Sequence, residues 1–136
     1  MRRSRRPKRT SKYWVEPEIF DNVVTFCRCY PIWLKELQTL PDGSRAIQYD
    51  KDKVQSSSDY DATAELAMKR VEIERKVNLV LSTAKIASPE LWEWIIKGVT
   101  SSDYTVNDLI QQGMPASVNY YTKVRRYFYY LLSKRI

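Results

Sequence analysis

The chain has 136 residues and a formal charge of +7, with 23 Lys and Arg against 16 Asp and Glu and no histidine. That length suffices for one small domain with a single core. Three Gly and six Pro among many charged and aliphatic residues exclude a turn-rich β fold and predict an all-α chain, and apolar runs this short exclude a membrane span.

The charge is unevenly placed. Residues 1–12 hold Arg2, Arg3, Arg5, Arg6, Lys8, Arg9 and Lys12 with no acid, and residues 109–136 hold Lys123, Arg125, Arg126, Lys134 and Arg135, again with none. Between them, residues 13–108 carry 11 basic and 16 acidic residues, a net of −5. Two basic ends on an acidic body suit a polyanion. Residues 1–12 are too charged to bury anything and are expected to be a disordered arm that condenses on phosphates through Arg2, Arg3, Arg5, Arg6, Lys8 and Arg9. A solubilising tail is the plainer reading of the same residues. No charged-then-apolar leader opens the chain, and no acylation signal adjoins the arm, so a membrane role is not expected.

Residues 13–99 read as a helical scaffold. Glu16 to Leu40 is expected to be helical, with Pro17 in the first turn and Glu16, Glu18 and Asp21 at the positive end of the dipole. Ile19, Val23, Phe26, Cys27, Tyr30, Leu34 and Leu37 form its apolar stripe, and Pro31 should kink or split it near Cys29–Tyr30. Cys27 and Cys29 would diverge by about 200° on a helix, which argues against a local disulfide and for two reduced thiols. Trp33 is assigned to packing.

Residues 41–60 contain the turn Pro41-Asp42-Gly43-Ser44 and the aperiodic run Gln48 to Tyr60, and are expected to be a polar loop. Asp61 should cap a second helix, Ala62 to about Ala87, with Leu66, Ile73, Val77, Val80 and Ala84 inward. That helix would pack on the first or on a copy of itself, giving a homo-oligomer. Ser88-Pro89-Glu90 starts a third helix, Pro89 to about Val99, burying Leu91, Trp92, Ile95 and Ile96.

Residues 100–136 are the expected DNA-binding unit. Thr105 and Asp108 form a capping-box pattern, Gly113 suits a helix C-terminus, Pro115 prevents continuation, and Ser117 can cap the next helix. Tyr121, Val124, Phe128, Leu131 and Leu132 make the inward stripe. The run Tyr127–Tyr130 is read as packing. A short helix, a Gly-Pro turn and a capped basic helix outline a helix-turn-helix whose second helix enters the major groove. The candidate DNA contacts are Ser117, Val118, Asn119, Thr122, Lys123, Arg125 and Arg126, residue types that mostly suit base edges and phosphates.

The stretch from Asp52 to Val80, DKVQSSSDYDATAELAMKRVEIERKVNLV, followed by the C-terminal unit, resembles the RinA- and ArpU-like late-gene activators of phages of Gram-positive bacteria. Tyr30-Pro31 followed by Leu34, Leu37 and Leu40 fits their N-terminal pattern, and Val124-Arg125-Arg126 with Phe128 and Leu131 fits a unit similar to region four of sigma factors. The resemblance implies a cytoplasmic protein of the bacterial host that binds promoter DNA and activates transcription, with host RNA polymerase as a partner. The arm is denser in arginine than that family's pattern.

Catalysis is not expected. No Gly-rich phosphate loop or nucleophile elbow occurs, and the Asp50/Asp52 and Asp59/Asp61 pairs read as solvated rather than metal-bound, so neither metal nor cofactor is implied. A Tyr nucleophile at Tyr127 or Tyr129 would lack room for the rest of its site. Two binding alternatives stay open: a small-terminase-like subunit that holds DNA during packaging, and an RNA-binding protein that uses the arm.

Overall fold

Pro17 opens the first helix of a computed structural model that describes residues 6–40 and 57–136. All regular structure among these residues is α-helical, in six helices. Helix α1 spans Pro17–Arg28 and α2 spans Tyr30–Thr39. The helix expected over Glu16–Leu40 is thus split where Pro31 lacks an amide donor and its ring would meet the carbonyl four residues earlier. Cys29 closes α1, its amide donating to the Thr25 and Phe26 carbonyls at 3.1 and 3.2 Å.

The apolar face of α1 is rotated from the expected stripe. Phe20, Val23 and Cys27 are buried, while Ile19 is 46% exposed and, on α2, Leu34 is 38% exposed. Phe20 wins the inward place because its ring meets Tyr129 edge-on, with centroids 5.3 Å apart, adding a directional aromatic contact to the area buried.

Helix α3 runs Ser57–Ala87, so it starts before Asp61 and takes in part of the expected loop. Asp61 lies inside the helix rather than at its cap. The remainder of the expected loop, residues 41–56, lies outside the described residues, as does the Asp50/Asp52 pair. Ile73, Val77, Val80 and Ala84 are buried at helical spacing, but Leu66 is not.

Ser88 caps as expected, its Oγ accepting from the Leu91 amide at 3.1 Å, yet Pro89 to Leu91 form a turn and α4 spans only Trp92–Val99. The Ser88 amide is still bonded to the Ala84 carbonyl at 3.0 Å, so the chain must turn sharply before a new helix can begin. Leu91 and Ile95 are buried, whereas Trp92 and Ile96 are only half-buried.

Helices α5 (Val106–Gln111) and α6 (Val118–Arg135) complete the fold. Thr105 and Asp108 form a reciprocal capping box, with bonds of 3.1 and 2.8 Å, and Ser117 Oγ caps α6 by accepting from the Tyr120 amide at 3.1 Å. Gly113 takes φ +108° in the link, a conformation that other residues adopt only under strain.

The described residues group into two compact units. One comprises the described residues up to Pro31 together with Asn78–Ile136; the other comprises the described part of Ile32–Val77. In the first, α1 and α6 make the principal helix pair, with α4 and α5 packed beside them. Residues beyond Val99 therefore do not stand apart as their own unit. Phe20, Val23, Cys27, Leu91, Ile95, Leu109, Tyr121, Phe128 and Leu132 form its centre. Burial pushes the Cys27 thiol well above its ordinary range, as suits an inert core cysteine.

In the second unit Arg70 pairs with Glu74 at 3.1 Å and donates to the Leu37 carbonyl at 3.3 Å. Trp33 lies under the Lys76 ammonium, 5.6 Å from its ring centre. Glu72 is held below the usual carboxylate range by its hydrogen bond to Arg75.

Candidate nucleic-acid interface

Tyr13 decides where the basic arm goes. Its ring lies 5.1 Å from Tyr127 and 5.8 Å from Tyr130, centre to centre, on the exposed edge of the α6 aromatic run. A turn precedes it: the Ser11 amide donates to the Lys8 carbonyl at 2.8 Å, and Ser11 Oγ accepts from the Tyr13 amide at 3.2 Å. Pro7 is buried, and Arg6 pairs with Asp21 of α1 at 2.7 Å. Residues 6–12 are therefore laid on the helical body rather than free, because proline and tyrosine supply the apolar contacts that the arginines cannot. Arg2, Arg3 and Arg5 lie outside the described residues.

The docked arm forms one wall of a cleft of about 990 Å³. Val118, Asn119, Thr122, Lys123, Arg125 and Arg126 of α6 line it, together with Ser101, Ser102, Tyr104 and Thr105 from the segment that leads into α5. Ser11, Lys12, Tyr13 and Arg28 complete it. Six of the seven C-terminal residues expected to touch DNA thus share one concave surface. Ser117 is the exception, its hydroxyl serving as the cap of α6. Of the arm, Arg6, Lys8 and Arg9 do not reach the cleft; Arg6 is committed to Asp21, and Arg9 lies over the Trp14 ring at 6.0 Å.

Five cations line this surface: Lys12, Arg28, Lys123, Arg125 and Arg126. None forms an ion pair with a described carboxylate. No acid is among the described lining residues; Asp103 is exposed on the same loop, and Asp108 accepts the Thr105 amide in the capping box. Like charges gathered on a concave, partly dehydrated surface repel one another and raise the local concentration of anions.

The five are held differently. Lys12 lies 5.0 Å over the Tyr13 ring, and Arg125 lies 5.6 Å over Tyr121, so aromatic faces hold both in place. Lys123 is exposed. Arg28, at the C-terminal end of α1, is favoured there by the helix dipole. The Nε atoms of Arg28 and Arg126 are buried and find no acceptor among the described residues. A buried charged-group donor left unmade costs about 1–3 kcal/mol or more, so both guanidinium groups carry an unmet donor beside the cleft.

Gly98 and Tyr121 fix the base of the cleft. A side chain at Gly98 would collide with the Tyr121 hydroxyl, which sits under the α4 backbone and reaches the Trp94 carbonyl at 3.5 Å. Burial raises the Tyr121 phenol to about 12, with Arg125 pulling weakly the other way. No family model, curated protein or solved structure matches this chain.

Sequence reasoning missed Arg28 and the 101–105 segment. The signal for Arg28 was present but quiet: Val24, Thr25, Pro31 and Ile32, at helical spacing around it, offer no acid to pair with. Nothing local marks Ser101, Ser102 or Tyr104, whose place depends on how α4 and α5 pack on α6. Among the described residues no helix is long and apolar enough to cross a membrane, and no group of three or more candidate metal ligands comes together.

Proposed function

We propose that the protein binds double-stranded DNA and regulates transcription, as an activator of phage late genes of the kind its sequence resembles. In this reading α5, the Gly113 turn and α6 act as a helix-turn-helix, and α6 is the recognition helix. The supporting observation is the set of five cations in one cleft along α6, none of them ion-paired with a described carboxylate and with no acid among the described lining residues. Phosphates bind such a surface, while exposed Asn119 and Lys123 on the first turns of α6 suit base edges. Host RNA polymerase is the partner this role requires, and the bacterial cytoplasm its place.

Selection of bound duplexes from a random library, with wild type and with Asn119→Ala and Lys123→Ala, tests the reading. Enrichment of one motif is expected, with each substitution relaxing a base position and weakening the preferred site by about 1–3 kcal/mol. Recovery of no motif, or unchanged preferences in both variants, refutes recognition by α6.

The exposed apolar residues Met68 and Val71 on α3, at 72% and 65%, favour a second reading in which copies assemble as a DNA-packaging subunit. A regulator should bind one site as a monomer or dimer, whereas a packaging subunit should sediment as a ring-sized species.

A further inference from the structure

Arg28 belongs to α1, a packing helix, and Arg126 to α6, yet both line the same cleft and both bury an Nε donor that no described residue accepts. With Nε buried, the terminal N–H groups of each half-buried guanidinium are what remain for a ligand in the cleft. That geometry separates Arg126 from Lys123, which is exposed and free to reach a groove edge. We infer that Arg28 and Arg126 together form a phosphate-binding pocket in the wall of the cleft, which takes one backbone phosphate of a bound nucleic acid. The inference rests on the DNA-binding reading only for the source of that phosphate.

The ligand class follows from the donors. Two planar guanidinium forks match the tetrahedral oxygens of a phosphate, and the Thr122 hydroxyl lines the same surface. An acidic side chain of a protein partner has only two oxygens in one plane and would leave part of this donor set unused. Arg126 is consequently a positioning contact on the backbone, carrying no base preference of its own. The two arginines come from helices distant in the sequence, so the pocket exists only when α1 is packed on α6.

The decisive measurement needs no variant. In the full chain, nitrogen-15 NMR of the arginine Nε–Hε groups is followed during titration with inorganic phosphate. The Arg28 and Arg126 signals should shift together and saturate, and the same two should shift when duplex DNA is added. Absence of a phosphate response, or an equal response to a glutamate polymer, overturns the pocket. Arg28→Gln and Arg126→Gln should each weaken duplex binding about tenfold for every sequence alike and lower the salt slope by about 0.9, whereas Lys85→Gln, outside the cleft, should not. Arg28→Lys, which keeps the charge but lacks the Nε–H fork, should recover the salt slope without restoring full affinity. Folded glutamine variants with unchanged slope and intact motif preference overturn the pocket and leave the DNA reading standing. A phosphate response in a chain that binds no duplex supports the pocket and refutes the DNA reading instead.

Discussion

Gly98 and Tyr121 are coupled by contact: any side chain at position 98 enters the space of the Tyr121 hydroxyl. Since Tyr121 is wholly buried beneath the cleft, it cannot swing away without opening the core. Gly98→Ala should therefore destabilise the unit, by about 1–3 kcal/mol as overpacking does. Thermal unfolding of Gly98→Ala, Tyr121→Phe and the double variant measures this, and the double variant should recover most of the loss. The same tyrosine sets an alkaline limit. Its folded pKa, about 12, lies above the ordinary 10.0, so the stability it contributes is complete below pH 10 and is lost as pH rises toward 12. Cys27 is raised in the same direction and adds to that loss. Unfolding free energy measured against pH should fall over this window, and Tyr121→Phe should make the fall shallower.

At the scale of elements, the link between α5 and α6 turns on Gly113 at φ +108°. Gly113→Ala meets no neighbouring atom within 4 Å, so its expected cost of about 1–3 kcal/mol is backbone strain alone and should appear in denaturant titration. The arm offers a second element-scale expectation. Tyr13→Ala removes two ring contacts, each worth about 0.5–1.5 kcal/mol, and should make Arg6–Lys12 readily cleaved by trypsin while melting of the helical body changes little. Unaltered cleavage would show that Pro7 and Arg6 hold the arm unaided.

These elements also show what the sequence could reveal. Capping chemistry was legible at Thr105, Asp108 and Ser117 because its partners lie three residues away. Proline fixed the break before α2 for the same reason. What escaped were choices made between distant segments. Phe20 replaced Ile19 inside because Tyr129 awaited it, and the arm docked because Tyr127 and Tyr130 left a ring-sized edge. Arg28 entered the cleft only through the packing of α1 on α6. The face of α6 could be read from its period, but its concave setting could not.

For the whole molecule, the end of the arm joins the α6 surface through Lys12, while Arg6, Lys8 and Arg9 lie outside the cleft. Five cations on four phosphates, one of them shared by Arg28 and Arg126, should give duplex affinity a salt dependence of up to about −3.6 in log K per log salt. A measured slope near zero would deny the cleft a role in backbone binding. Deleting the arm should remove at least the share of Lys12, and more where Arg2, Arg3 and Arg5 also contribute.

The pairing of α1 with α6 has a kinetic side. During synthesis α1 emerges early with Phe20, Val23 and Cys27 uncovered, and Tyr129, the ring partner of Phe20, is made only after four further described helices. The unit therefore cannot close progressively from its beginning; its apolar surface stays open to wrong partners until α6 clears the ribosome. Arg135, bonded to buried Thr83 at 2.8 Å, would be among the last contacts to form. A nascent chain arrested before α6 should thus be held by chaperones and cut by protease, and should gain protection in one step once that helix is complete.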